Sequence, residues 1–412
     1  MTARIDLSSG RREKNSAGYS GYSDSIPFFS QAAAFARMWQ DIQRQVTDVL
    51  DDGKYSHGTK VAEFETALAG WTGARYAVGV NSGTDALVLL LRACGLQPGD
   101  EVVVPAFTFV ATASSVVLAG GRPVFADIEP DSYALDADSA ASVVGPRTRM
   151  IMPVHLFCQM ANMNAVGGVA ARHGLTVLED SAEAIGMRWD GIHAGLLGAG
   201  GVLSFFPTKT LGAIGDAGAV ITDDPHVAET AAALRHHGRR GRTLAHFPAI
   251  SNATELTGVN SKMDDIQAAV LLTKLASLEH DIARRAALAA AYDERLRDVS
   301  GVLRLPTLVP RAASTRPVFY VYLIEADRRD ELVAHLAARG VETETYYPQP
   351  LHLQASFAAL GHRRGDFPRA EAACERTVAL PLYPDLPLSA VDRVCALIRG
   401  FYDGRARAGG RP

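Results

Sequence analysis

The chain has 412 residues, with 41 Lys plus Arg against 45 Asp plus Glu, and a formal net charge of only −4. Its length suggests two or three domains, and 48% hydrophobic with 21% charged residues excludes disorder over most of it. The near-neutral balance also argues against a nucleic-acid binder, which needs a basic face to neutralise phosphates.

Residues 1–26 are rich in Ser, Gly, Tyr and Arg, show no apolar period, and read as a flexible N-terminal extension. Order is expected from Ile26-Pro27-Phe28-Phe29. From there, short apolar runs alternate with helical patterns. Tyr76 to Val80, Glu101 to Val104, Pro123 to Ala126, Met150 to Val154 and Leu175 to Glu179 read as buried strands. Thr84 to Ala93, Val110 to Ala119 and Ala161 to Arg172 read as the helices between them. Near-continuous apolar strands alternating with helices predict an α/β fold, with a mainly parallel sheet covered on both faces.

The pattern changes near residue 260. Asp264 to Leu278 reads as an amphipathic helix and Arg284 to Leu296 as a second one. Val318 to Ile324 and Val341 to Thr345 read as strands, Asp330 to Arg339 as a helix, and Ala390 to Tyr402 as the closing helix. The expected organisation is an extension (1–26), a large domain (27–270) and a smaller α/β domain (271–412) built on a long linking helix.

No segment has the apolar core of a signal peptide, and stretches such as Ala86 to Ala93 are too short to span a bilayer. Cys94, Cys158, Cys374 and Cys395 form no CxxC pair and read as reduced thiols of a cytoplasmic protein. The basic run His236-His237-Gly238-Arg239-Arg240-Gly241-Arg242 reads as a solvated loop. The His and Cys residues lack metal-ligand spacing, so no metal is expected.

Three features bear on chemistry. In Asn81-Ser82-Gly83-Thr84-Asp85, a strand meets a helix whose free N–H groups suit an anion, with Gly83 allowing close approach; the same residues also suit an ordinary N-cap. Asp180 closes a buried strand, where open α/β sheets bind ligands, and a carboxylate there needs a positive partner; a plain cap of the next turn is the competing reading. Lys209, in Ser204-Phe205-Phe206-Pro207-Thr208-Lys209-Thr210, stands in an apolar, turn-forming stretch. Burial would lower its pKa and free the amine for Schiff-base chemistry, and Ser204 is near enough to reach an anion. Phosphate cradle, strand-end Asp and nucleophilic Lys together fit pyridoxal 5′-phosphate.

These segments, with Val104-Pro105-Ala106-Phe107-Thr108-Phe109-Val110-Ala111-Thr112, Val154-His155-Leu156-Phe157-Cys158-Gln159, Gly258 to Asp264 and Tyr347 to Gln354, resemble the DegT/DnrJ/EryC1/StrS family of sugar aminotransferases, from about Ile26 to the C-terminal helix. The resemblance implies the pyridoxal-phosphate transferase fold of type I, that of aspartate aminotransferase. It implies Lys209 as the cofactor-bound lysine and proton shuttle, and Asp180 as partner of the pyridine nitrogen. Ser204, Gly83 and Thr84 would hold the phosphate, Phe109 would stack on the ring, and Glu183 would lie near the phenolic oxygen. Asn260 would reach the other subunit's phosphate, in a homodimer with shared active sites. Tyr347 and His352 are candidate substrate contacts, and His155 reads as structural.

Glu183 stands where Gln is common in the family, Cys158 and Met160 where Gly and Pro are, Tyr320 and Tyr346 where His is, and Lys262 where Arg is. The implied reaction moves an amino group from L-glutamate to a ketone of a nucleotide-linked sugar, such as a dTDP-4-keto-6-deoxyhexose or a 3-keto relative. A keto-cyclitol aminotransferase shares the motif set. A non-catalytic regulator would leave Lys209 unexplained. Dehydratase relatives carry His at the lysine position, against Lys209.

Overall fold

A computed structural model describes residues 25–56, 58–239 and 254–406. In chain order the elements are α1 (Ala32–Asp52), α2 (Thr59–Thr72), β1 (Tyr76–Val80), α3 (Gly83–Ala93), β2 (Glu101–Pro105), α4 (Ala111–Leu118), β3 (Arg122–Ala126), α5 (Ala137–Ser142), β4 (Thr148–Ile151), α6 (Met163–His173) and β5 (Thr176–Asp180). Then come β6 (Arg188–Trp189), β7 (Ile192–His193), β8 (Gly200–Ser204), β9 (Gly218–Thr222), α7 (Pro225–Leu234), α8 (Asp265–Leu275), α9 (Leu278–Leu296), β10 (Val302–Arg304), β11 (Thr315–Arg316), β12 (Tyr322–Ala326), α10 (Arg329–Ala337), α11 (Pro368–Arg376), β13 (Thr377–Leu380) and α12 (Leu388–Ala406).

Seven strands form one sheet in the order β1-β9-β8-β5-β4-β2-β3. Only β9 runs against the others, pairing antiparallel with both β1 and β8, while β8-β5-β4-β2-β3 are parallel. Strands β2 and β9 are buried at every position, as a sheet covered on both faces requires. Helices α3, α4 and α7 pack with the apolar cluster around Leu87, Leu90, Val104 and Val220. Phe64 and Leu68 of α2 join α8 in a second cluster. The loops after β1, β2, β4, β5 and β8 therefore open on one edge of the sheet, the carboxyl edge where such folds bind ligands.

The small unit is the antiparallel sheet β10-β12-β13 with helices α10 and α12. Helix α9 joins the two units: Leu278 and Ile282 pack in the core of the large one, and Leu288 to Leu296 in that of the small one. The boundary expected at residue 270 lies inside α8.

Several expected elements differ. Helix α8 is buried on most of its surface instead of along one stripe, because Val270 faces α1 while Ala268, Leu271 and Leu275 face the α2 cluster. The strand expected at Val318 begins only at Tyr322, since the Val318 and Tyr320 N–H groups turn to the carbonyls of Cys158 and Phe157. Pro153, with no N–H, ends β4 early, and Val154 forms a lone bridge with Asp180. At Val341 to Thr345 there are only isolated bridges, Val341 to Ile26 and Glu344 to Ala379. The expected extension lies outside the described residues apart from Ser25 and Ile26, as do residues 240–242 of the basic run.

Candidate active site

A cavity of about 400 Å³ opens at the carboxyl edge of the sheet. Its wall includes Gly83, Thr84, Phe109, Asp180, Glu183, Ser204 and Lys209, with Tyr320, Tyr346 and Tyr347 closing it from the small unit's side. Eight of the ten expected site residues are thus brought together: those seven and Tyr347.

One corner is the start of α3. Ser82 caps the helix, its Oγ accepting from Asp85 N–H at 3.1 Å, which leaves the first-turn N–H groups facing the cavity corner. Ser204, the last residue of β8, closes the corner opposite. The approach depends on two glycines: a Cβ on Gly83 would stand 2.8 Å from the Ser204 Cβ, and one on Gly218 would stand 2.5 Å from the Ser82 carbonyl carbon. The corner offers the free helix N-terminal N–H groups that suit a small anion such as a phosphate.

Asp180 ends β5 and is buried, 4% exposed. Its Oδ2 accepts from Thr112 Oγ1 at 2.7 Å and its Oδ1 from Ala182 N–H at 3.2 Å. Burial raises its pKa, while those two hydrogen bonds, Lys209 and His155 oppose the shift. A positive group in the cavity would complete the set and hold the carboxylate charged.

Lys209 sits in the turn between β8 and β9. Its Nζ donates to Glu183 Oε1 at 3.1 Å and lies 4.3 Å from the centre of the Tyr320 ring. The lowered pKa expected from burial is reversed. Burial pulls it down, but the charge of Glu183, then Tyr320, the hydrogen bond to Glu183, and Asp180 carry it above the ordinary lysine value. Conversely, Lys209 supplies the cation that a buried Glu183 requires. Phe157 N–H also donates to Glu183 Oε2, at 3.3 Å.

Phe109 is 56% exposed at the cavity mouth, its ring 6.3 Å from that of Tyr347. The Tyr347 hydroxyl is buried without a hydrogen-bond partner.

Two expected site residues lie elsewhere. His352 does not line the cavity: Glu371 Oε1 stands 3.1 Å from its Nε2 and the Phe367 ring packs at 4.8 Å, so its side chain is committed to the packing of Phe367 against Phe125 of β3. Asn260 is exposed, away from the cavity, where it accepts a hydrogen bond from Lys262. His155 is buried and its ring nitrogens are committed to hydrogen bonds within the fold. Its Nδ1 accepts from Ala161 N–H at 3.0 Å, which leaves Nε2 to donate to Glu179 Oε2 at 2.9 Å.

Sequence reasoning assigned no role to Thr112, which shares its helix with the hydroxyls of Ser114 and Ser115 and so gave no distinct signal. It also missed the hydroxyl chain from Thr208 through Tyr320 (3.2 Å) to Tyr346 (3.4 Å). Tyr320 and Tyr346 were visible only as departures from a family pattern.

An anion corner at a helix N-terminus, a buried strand-end carboxylate and a lysine amine around one cavity are the donor set that pyridoxal phosphate requires. Fold and site define a pyridoxal-phosphate-dependent aminotransferase of fold type I. The chain belongs to the DegT/DnrJ/EryC1/StrS aminotransferase family, which it matches over residues 37–399.

It is 39% identical over 374 residues to the dTDP-3-amino-3,4,6-trideoxy-alpha-D-glucose transaminase of Streptomyces venezuelae, covering 91% of this chain and 95% of that one. It is 38% identical over 378 residues to a protein of Geobacillus stearothermophilus named pleiotropic regulatory protein, covering 92% and 98%. The crystal structure of S. venezuelae DesV in complex with a ketimine intermediate superposes with a TM-score of 0.86 at 38% identity, covering 92% of this chain and 99% of that one. Among the described residues, no helix is long and apolar enough to cross a membrane.

Proposed function

We propose that the protein transfers an amino group from L-glutamate to the ketone of a nucleotide-linked hexose, at C3 or C4 of a dTDP-linked keto-deoxy sugar. The observation that carries this reading is that Lys209 Nζ and the Asp180 carboxylate open into one cavity whose corner is the α3 N-terminus and Ser204. The similarity to a dTDP-amino-sugar transaminase supports the sugar class.

Bound pyridoxal phosphate supplies a ring that takes up the carbanion charge of the amino-acid α-carbon. Ser204 and the N–H groups of Gly83 and Thr84 would hold its phosphate. Asp180, oriented by Thr112, would pair with the ring nitrogen and keep it protonated. Phe109 would cover the ring. Lys209 reacts as the free amine, so its Nζ first gives up a proton, and Glu183 Oε1 at 3.1 Å is the acceptor in reach. Lys209 Nζ then carries the proton taken from the donor α-carbon. The hydroxyls of Tyr320, Tyr346 and Tyr347 form the uncharged wall left for the sugar.

A homodimer is part of this reading. Asn260 lies outside its own cavity and Phe109 is exposed at the mouth, which suits residues completed by a second copy. So is the cytoplasm, since all four cysteines are free.

The test is to supply the pyridoxamine form of the enzyme with a panel of nucleotide-linked 3- and 4-keto hexoses and of keto-cyclitols, with product mass and NMR as readout. Amination of a nucleotide-linked hexose, abolished by Lys209→Ala, is the expected result. Turnover of keto-cyclitols alone would overturn the substrate class. A Lys209→Ala protein that keeps its biological activity would make the chain a regulator.

A further inference from the structure

Outside the cavity, one buried polar cluster has no part in these roles. Lys274 of α8 is only 7% exposed; its ammonium hydrogen-bonds to neutral oxygens, with the charge of Asp281 acting on it from farther off. It donates to the Gly212 carbonyl, and to Gln31 Oε1 at 2.6 Å. Gln31, the residue before α1, in turn donates through Nε2 to the Pro207 carbonyl. Pro207 and Gly212 flank Lys209 on its two sides.

A third contact comes from the same helix, where Gln267 Oε1 accepts from Ile214 N–H at 3.0 Å. The turn has no slack at this point, since a Cβ on Gly212 would stand 2.3 Å from the Pro207 carbonyl oxygen. The cluster also reaches the small unit. Ile26 N–H donates to the Gly340 carbonyl at 2.6 Å, and Phe28 N–H to Glu342 Oε2 at 3.0 Å. The Phe28 ring lies 6.4 Å from Tyr346 of the cavity wall. Residues 26–31 thus run from the small unit to the turn that carries Lys209.

A buried cation tied to neutral oxygens is a costly way to fill space. Met or Leu would pack at position 274 without the desolvation penalty. What the ammonium provides, and an apolar side chain does not, is a fixed position for a carbonyl beside Lys209.

The geometry points to Gln31 and Lys274 as positioning residues: a bracket that holds the backbone on both sides of Lys209 and so sets where its Nζ stands against Glu183 and Tyr320. The inference rests on the reading of Lys209 as the cofactor-binding lysine. Its expected effect is large, because a misplacement of about 1 Å at a reacting group costs roughly a hundredfold in rate.

The experiment compares wild type with Lys274→Met, the milder Gln31→Ala and, as a packing control on the same helix, Leu271→Ala. Borohydride reduction of the cofactor-loaded wild type, read by peptide mass spectrometry, first tests the reading of Lys209; no adduct there defeats that reading itself. The bracket is then tested on cofactor-free protein by the rate at which an amine reagent labels Lys209 near neutral pH. In Lys274→Met and Gln31→Ala, Lys209 is expected to leave Glu183 and label about tenfold faster, the change for one pKa unit. The loaded variants should lose about a hundredfold in kcat with KM unchanged. Leu271→Ala, however much it lowers the melting temperature, should label as wild type does. With the wild-type adduct present, wild-type labelling in both bracket variants, or faster labelling in the packing control as well, overturns the bracket.

Discussion

Replacing Glu183 by Gln, the residue common at this position in the family, should lower the pKa of Lys209 and enlarge its free-amine fraction. At 3.1 Å and an effective dielectric constant near 20, a pair of unit charges interacts by about 5 kcal/mol. At about 1.4 kcal/mol per pKa unit, that is roughly 4 units upward on the lysine. Full burial of a lysine acts downward by about 3–5 units. The two nearly cancel, and Tyr320 and Asp180 tip the balance upward.

Glu183→Gln removes the pair charge while keeping a hydrogen-bond acceptor and nearly the same volume. Burial is then opposed only by Tyr320 and Asp180, and the Lys209 midpoint should drop by roughly 2–4 units. The assay is an NMR titration of cofactor-free protein carrying isotope-labelled lysine, with Lys209→Arg identifying the resonance. Asp180, Asp216, Tyr320, Tyr346 and Tyr347 also face the cavity and are unchanged in the comparison. A midpoint that stays within half a unit or so of wild type would refute the reasoning, since so close a pair cannot lose its charge silently.

Three further outcomes are expected. Thr112→Val deletes a 2.7 Å hydrogen bond to Asp180. Such bonds to charged groups contribute about 1.5–3 kcal/mol, so the acid limb of the pH–kcat profile should move up by about 1–2 units, and an unmoved limb would remove Thr112 from the site. Gly83→Ala forces a Cβ against Ser204 at 2.8 Å; at about 1–3 kcal/mol for such overpacking, dialysis should show cofactor affinity down by roughly fivefold to a hundredfold, and wild-type affinity would mean that the corner does not hold the phosphate. Lys274, with its pKa pushed down to about 8 by burial, binds its proton more weakly folded than unfolded. Its contribution is fully present above the unfolded value of about 10.5 and lost as pH falls through 8, at most roughly 3 kcal/mol. Denaturant titrations across that window should therefore give Lys274→Met a flatter gain in stability with rising pH than wild type; parallel curves would contradict the shift.

The parts of this protein legible in its sequence are those whose signal is local. Strands such as Val102-Val103-Val104 are recognisable because a sheet covered on both faces needs unbroken apolar runs. The Ser82 cap follows from four consecutive residues. Lys209 stands out because a charged side chain in an apolar turn is costly to bury and has no core to fill. The Val318 strand and the Val341 strand misled for the opposite reason. Their residues have strand propensity, but their N–H groups are taken by Cys158, Phe157 and Ile26, partners far off in the chain.

The sequence by itself pointed to the class of fold, through apolar strands alternating with helices, and to the cofactor, through three local side-chain signals and a family resemblance. Only the tertiary structure decided what surrounds those groups. It brought Glu183 to Lys209 and reversed the direction of the lysine's pKa, because a Coulomb interaction depends on a distance that no spacing along the chain encodes. It removed His352 from the cavity by committing it to Glu371, and it supplied Thr112 to Asp180 across 68 positions. It also brought Gln31 and Lys274, 243 positions apart in the chain, within 2.6 Å of each other against the backbone that flanks Lys209.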